Sequence, residues 1–205
     1  MNADIALKKL IEGNEYYVNA SNKEAEVVTE VKRSPADQGQ SPFVIILGCS
    51  DSRVPVETIF HQGIGDLFVI RVAGNIADPS QIGSIEYACH NLGTQLVVVL
   101  GHSHCGAVHA TVDSLMSEQP GNMSPNIASI VDRIAPAVLP VIANKRDVSE
   151  AQLLQQAMRA NVTKTVKDLT SRSSILSDLI EQNKLMIVGA EYSIETGQVE
   201  FHLPD

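Results

Sequence analysis

Three short aliphatic runs set the fold class of this chain. They are "FVIIL" at 43–47, "LFVIRV" at 67–72 and "LVVVL" at 96–100. None alternates apolar with polar residues. A strand with one wet face reads as an alternation, whereas an unbroken Val/Ile/Leu run suits a strand covered on both faces, as in a parallel sheet between helices. Parallel strands need long crossovers, and helical patterns occupy the gaps. "SQIGSIEYACHNLG" (80–93) starts on Ser and stops on Gly, and "GAVHATVDSLMSEQ" (106–119) follows the third run. The order predicts an α/β fold with a mostly parallel central sheet flanked by helices.

The rest of the chain fits around that sheet. Residues 3–20 carry Ile5, Leu7, Leu10, Ile11 and Val18 as an apolar stripe and read as an amphipathic helix, with Asn2 as its N-cap. Residues 21–41 are polar and hold "SPADQGQSP", which reads as a helix remnant and a loop. Residues 126–183 read as helices. Pro136 and Pro140 are expected to kink or divide the first, Ser149 to cap a long one over 149–171, and 173–183 to form a shorter one. "KLMIVGAEYSIETGQVEFHL" reads as strand, turn at "ETGQ" and strand, an antiparallel C-terminal edge. With no repeat, low-complexity segment or linker in view, residues 1–205 read as a single domain.

Composition narrows the partners. A net charge of −9 with no basic stripe argues against binding a phosphate backbone. No uninterrupted apolar run approaches the ~18 residues that span a bilayer, and the N-terminus lacks a signal-peptide pattern. The expectation is a cytoplasmic protein with neither membrane nor nucleic acid as partner. The three cysteines, Cys49, Cys89 and Cys105, are too few for a disulfide scaffold. In a reducing compartment, cysteine near histidine points to metal or catalysis.

Function in open α/β sheets gathers at the carboxyl ends of strands. The first run ends in "GCSDSRVP" (48–55) and the third in "GHSHCG" (101–106). Each places a soft metal ligand just past a glycine. If the two strands are neighbours, Cys49, His102 and Cys105 converge. Two thiolates and an imidazole suit Zn²⁺, and three protein ligands leave a fourth position open. His104 is the alternative imidazole, but its adjacency to Cys105 makes joint ligation awkward, so it is expected nearby and uncoordinated. Cys89 reads as a packed thiol. His61, His90, His109 and His202 show no partner pattern and read as surface or packing residues. Asp51 and Arg53 read as an ion pair in which the guanidinium holds the carboxylate beside the metal. Freed from Arg53, Asp51 would itself be a candidate fourth ligand, and the residues leave both states open.

The paired motifs "CSDSRVP" and "GHSHCG" resemble those of the β-class carbonic anhydrases, C-x-D-x-R and H-x-x-C. "LFVIRVAGN", "SIEYA" and "GAEYSIETGQVEF" extend the likeness over most of the chain. The resemblance implies one Zn²⁺ per chain on Cys49, His102 and Cys105, with the Asp51–Arg53 dyad beside it. It implies reversible hydration of CO₂ to bicarbonate and a proton by attack of zinc-bound hydroxide. CS₂ or COS hydrolysis on the same site is the alternative. Gln40, Phe68 and Tyr87 match substrate-pocket positions of the plant-like branch, and Gly106 is a further candidate through its backbone N–H. Some pocket residues come from a neighbouring subunit in the family, so a homodimer or homotetramer is implied, with the N-terminal helix packing on the partner. One position departs. Ile46 stands where a bicarbonate-inhibited branch has tryptophan, and the chain has no tryptophan, so that inhibition is expected to be absent.

Overall fold

A computed structural model describes residues 1–20, 39–117, 123–145 and 147–203. The expected helix remnant and loop falls for the most part on residues outside these, as do the last two positions of the helix expected over 106–119. A five-stranded sheet has the order β2-β1-β3-β4-β5, with β1 (Val44–Gly48), β2 (Leu67–Arg71), β3 (Leu96–His102), β4 (Met186–Tyr192) and β5 (Val199–His202). The first four are parallel and β5 is antiparallel to β4, so the mostly parallel sheet with an antiparallel C-terminal edge is as expected. All residues of β1 and β3 are buried, which is what their unbroken aliphatic composition demanded.

The two faces of the sheet are covered unequally. Ile45, Leu47, Val97, Val99 and Ile187 point into the larger apolar layer. That layer is formed with α3 (Pro79–Asn91), α4 (Gly106–Met116), α5 (Pro125–Ala143), α6 (Glu150–Ser171) and α7 (Ser174–Glu181). Val44, Ile46, Leu96, Val98 and Val188 point the other way, against α1 (Ala3–Ala20) and the short α2 (Val56–Ile59). Ser149 caps α6 through a reciprocal capping box with Gln152, and α6 lies tight on the sheet. A Cβ on Gly101 would stand 2.5 Å from Cγ2 of Val162, and one on Gly189 2.8 Å from its Cγ1.

Two expectations about helices need correction. Asn2 does cap α1, accepting from the Ile5 N–H at 2.9 Å, but the buried face is Ala6, Leu7, Leu10, Gly13 and Asn14, while Ile5 and Ile11 are exposed. The i, i+3, i+4 face through Leu7 and Leu10 was the one that mattered; Ile5 and Ile11 fall on its flanks. Asn14 fixes this face to its own chain, donating to the carbonyls of Ile59 and Gly197 and accepting from the Val199 N–H. In α5, Pro136 and Pro140 do not divide the helix, which runs unbroken from Pro125 to Ala143. Both prolines are exposed, so the carbonyls that lose an amide partner face solvent and can be hydrated. By length and composition α5 is also the one described helix able to cross a membrane, although it carries Asp132 and Arg133 and packs against α4 and α6.

Candidate metal centre

β1 and β3 are adjacent and parallel, with Gly48 paired to Leu100, so the residues that follow them emerge at the same edge. Cys49 follows β1, His102 is the last residue of β3, and Cys105 is the N-cap of α4. Their ligand atoms all lie within 4.8 Å of one another, and all three residues are buried. Tetrahedral zinc with bonds of about 2.0–2.3 Å would draw such atoms to about 3.5–3.8 Å.

The hydrogen bonds around the trio favour a cation. Nδ1 of His102 lies 2.8 Å from the Ser103 carbonyl, which can only accept, so Nδ1 carries the proton. Nε2 of the neutral ring is then a bare lone pair. It is fully buried and has no hydrogen-bond partner among the described residues. A buried acceptor left in this way is unfavourable unless something positive faces it. The two thiols form a second sign. Cys49 is held down at about 4, chiefly by the hydrogen bond from Cys105, with smaller help from the amides of Gly74 and Asp51, against the upward push of burial. Cys105 is pushed up by the same hydrogen bond and by burial, against the weaker pull of the Val108 and Ala107 amides at the start of α4. Two buried sulfurs this close favour the loss of a proton from one of them, and a soft dication would favour the loss of both.

The Asp51 carboxylate makes its hydrogen bonds to Arg53 and not to the trio. Its Oδ1 accepts from the Arg53 backbone N–H at 2.9 Å and from Nε at 3.0 Å, and its Oδ2 accepts from Nη2 at 2.8 Å. This fork holds the Asp51 carboxyl well below the usual carboxylate range. Oδ2 remains 4.0 Å from Nε2 of His102. Arg53 Nη2 also reaches the His104 carbonyl at 3.1 Å, which ties the two site loops together.

Reading the motifs alone missed the residues that fasten these loops. Arg71, the last residue of β2, donates through Nε to the Cys49 carbonyl at 2.9 Å and through Nη2 to the Asp51 carbonyl. Gly74, in the 3-10 turn Ala73–Asn75, donates its N–H to Cys49 Sγ at 3.4 Å. Both lie in "LFVIRVAGN", but nothing in that stretch shows that it faces the metal ligands.

The remaining expectations fare unevenly. His104 is close and outside the ligand group, its side chain exposed and paired with Glu195. Cys89 is a packed thiol in the larger apolar layer, as expected. Phe68, the second residue of β2, packs half-buried against the same layer. Tyr87 is half-exposed on α3 and Gln40 is exposed ahead of β1. Among the described residues, no hydrogen bond joins either side chain to the trio. Gly106 opens α4, but the amides that face Cys105 are those of Ala107 and Val108. His202 does have partners, contrary to the sequence reading. Its Nε2 is 2.8 Å from Glu191 Oε1, and it forms a second ligand-like group with Glu191 and Glu200. Arg159 already supplies positive charge there, bonding both glutamates. A cavity of about 620 Å³ opens beside the 102–106 loop, bordered by His104, Cys105, Met158, Glu191 and Glu195.

Comparison with known proteins agrees with this geometry. A family model described as carbonic anhydrase matches residues 44–199, a span that contains both site loops. Carbonic anhydrase 2 of Mycobacterium tuberculosis is 39% identical over 194 residues, which cover 94% of this chain and 89% of the relative. The carbonic anhydrase of Mycolicibacterium smegmatis is 36% identical over 203 residues, covering 98% of this chain and 94% of the relative. The solved structure of the β-carbonic anhydrase CcaA superposes with a TM-score of 0.71 at 27% identity, covering 97% of this chain and 92% of its own.

Proposed function

The chain belongs to the β-class carbonic anhydrases, a family of lyases, and from that premise we propose that it hydrates CO₂ reversibly to bicarbonate and a proton, using one zinc ion per chain held by Cys49, His102 and Cys105. The observation that carries this reading is the buried, unpartnered Nε2 of His102, with the buried sulfurs of Cys49 and Cys105 both within 4.8 Å of it. Zinc at such a position supplies a Lewis acid that makes water ionise near neutral pH.

The side chains around it have distinct tasks. Asp51 stays ionised at any working pH, so it orients rather than removes a proton. Its Oδ2, 4.0 Å from His102 Nε2, would accept a hydrogen bond from a water held beside the trio and so orient it. Arg53 holds that carboxylate in place and keeps it from becoming a fourth ligand. The proton released by hydration leaves to buffer. CO₂ is small and apolar, so a narrow lining suffices. We assign Phe68, Tyr87 and Gln40 to that lining, with some contributed across a homodimer or homotetramer, which agrees with the exposure of Tyr87 and Gln40 in one subunit. With Ile46 in place of that tryptophan, we expect the tryptophan-dependent bicarbonate inhibition to be absent.

Stopped-flow CO₂ hydration between about pH 7 and 9, with metal analysis of the same sample, tests the proposal. About one zinc per chain with hydration that disappears in Cys49→Ala is expected. One zinc per chain with no hydration at any of these pH values would overturn it.

A further inference from the structure

The loop carrying His102 and Cys105 is gripped by a residue outside both metal motifs. Glu195 lies in the turn between β4 and β5. Its Oε2 accepts from the hydroxyls of Ser103 at 2.8 Å and Ser193 at 3.0 Å, and its Oε1 pairs with Nε2 of His104. These partners hold its carboxyl down at about 2, led by the Ser103 hydroxyl. Ser103 is fixed further by its N–H to the Tyr192 carbonyl at 2.9 Å and by the Ile194 N–H to its hydroxyl at 3.0 Å.

The carbonyls of the same two loop residues serve the metal centre. That of Ser103 accepts from His102 Nδ1, and that of His104 accepts from Arg53 Nη2. His104 has φ of 54°, a left-handed conformation that non-glycine residues rarely adopt. Relaxing it to the helical or extended region would rotate the peptide and carry its carbonyl off Arg53.

The geometry points to Glu195 as a positioning residue: by gripping Ser103 and His104 it keeps the His104 carbonyl on Arg53, and thereby keeps the Asp51 carboxylate on Arg53 and off the metal. Asp51 Oδ2 is only 4.0 Å from His102 Nε2, so a small swing of that side chain suffices to close the fourth position. The inference rests on the zinc site proposed above.

Azide binding to the full-length cobalt(II)-substituted protein reports on the fourth position without any turnover. Glu195→Ala is expected to weaken azide roughly tenfold at unchanged cobalt stoichiometry, the loss worth about one charge-assisted hydrogen bond. Glu195→Gln keeps an acceptor for Ser103 and recovers part of that affinity; it also serves if the alanine variant does not fold. In an Asp51→Ala background, where no carboxylate competes, removing Glu195 leaves azide affinity unchanged. A purely structural role would lower the melting temperature without this dependence on Asp51. Unaltered azide affinity in both Glu195 variants, or equal weakening with and without Asp51, overturns the inference. Failure of the unsubstituted chain to bind cobalt at all would instead overturn the metal site itself.

Discussion

Replacing Gly74 by alanine probes how closely the turn after β2 is fitted to the metal centre. Two separate strains are expected. Gly74 has φ of 72°, and a Cβ in that region costs about 1–2 kcal/mol. The same Cβ would stand 2.6 Å from Cδ1 of Ile134 and 3.2 Å from Cβ of Ala107. Ile134 is fully buried and has little room to yield, so this overpacking costs about 1–3 kcal/mol. Urea unfolding at fixed protein and zinc concentrations should therefore show a loss of about 2–5 kcal/mol. Ile134→Val separates the two strains because it deletes Cδ1, at about 0.5–1.5 kcal/mol by itself. The double variant keeps the backbone strain and loses the clash, giving a favourable coupling of about 1–2 kcal/mol. Zinc affinity should fall in Gly74→Ala alongside stability, since the Gly74 N–H donates to Cys49 Sγ. A loss below about 1 kcal/mol, or single losses that merely add in the double variant, would refute the reasoning.

Other perturbations reach different parts of the molecule. Stripping metal with a chelator should lower the melting temperature and added zinc should restore it, by about 2.7 kcal/mol at a hundredfold excess over Kd; melting indifferent to zinc would contradict the site. Burial, then Glu86, pushes the Cys89 thiol up to about 12, so iodoacetamide at pH 8 should leave Cys89 unmodified in the native protein by mass spectrometry. The sign of the linkage follows: the neutral thiol is favoured by the fold, so its contribution is complete below the ordinary value of 9.0 and is lost as pH rises toward about 12. Labelling of Cys89 at the rate of a free thiol would count against this burial. Arg159→Leu leaves the buried Glu191 carboxylate with His202 alone on Oε1, and urea unfolding should show a loss of about 1.5–3 kcal/mol, recovered in part by Glu191→Gln. A variant as stable as the parent would show that Arg159 does not support that carboxylate.

What could be read from the chain is what adjacent residues decide together. Aliphatic runs without alternation suit strands covered on both faces; β1 and β3 are that, whereas β2, from the run at 67–72, lies at the sheet edge and is only half-buried. Ser149 followed by Gln152 carries its own capping chemistry, and α6 begins there. Cys49, His102 and Cys105 announce themselves by type and by their places after strands. Asp51 and Arg53 are close enough in sequence for their fork to be foreseen. The errors arise where distant residues choose between local alternatives. Ile5 and Ile11 are as apolar as Leu7 and Leu10, and only the surfaces of Phe60 and β1 decide which face is buried. Pro136 and Pro140 would disturb a buried helix, but here both lie on the exposed face of α5. The site shows the same division most sharply. The motif names His102 as a ligand, but the Ser103 carbonyl decides which nitrogen is bare. That carbonyl belongs to a loop gripped by Glu195, 91 positions from His104. A motif therefore specifies the donor atoms, while their protonation and aim depend on tertiary hydrogen bonds that no local pattern contains. It follows that a sequence carrying both motifs intact can still differ in how firmly Asp51 is kept off the metal, according to what stands at position 195.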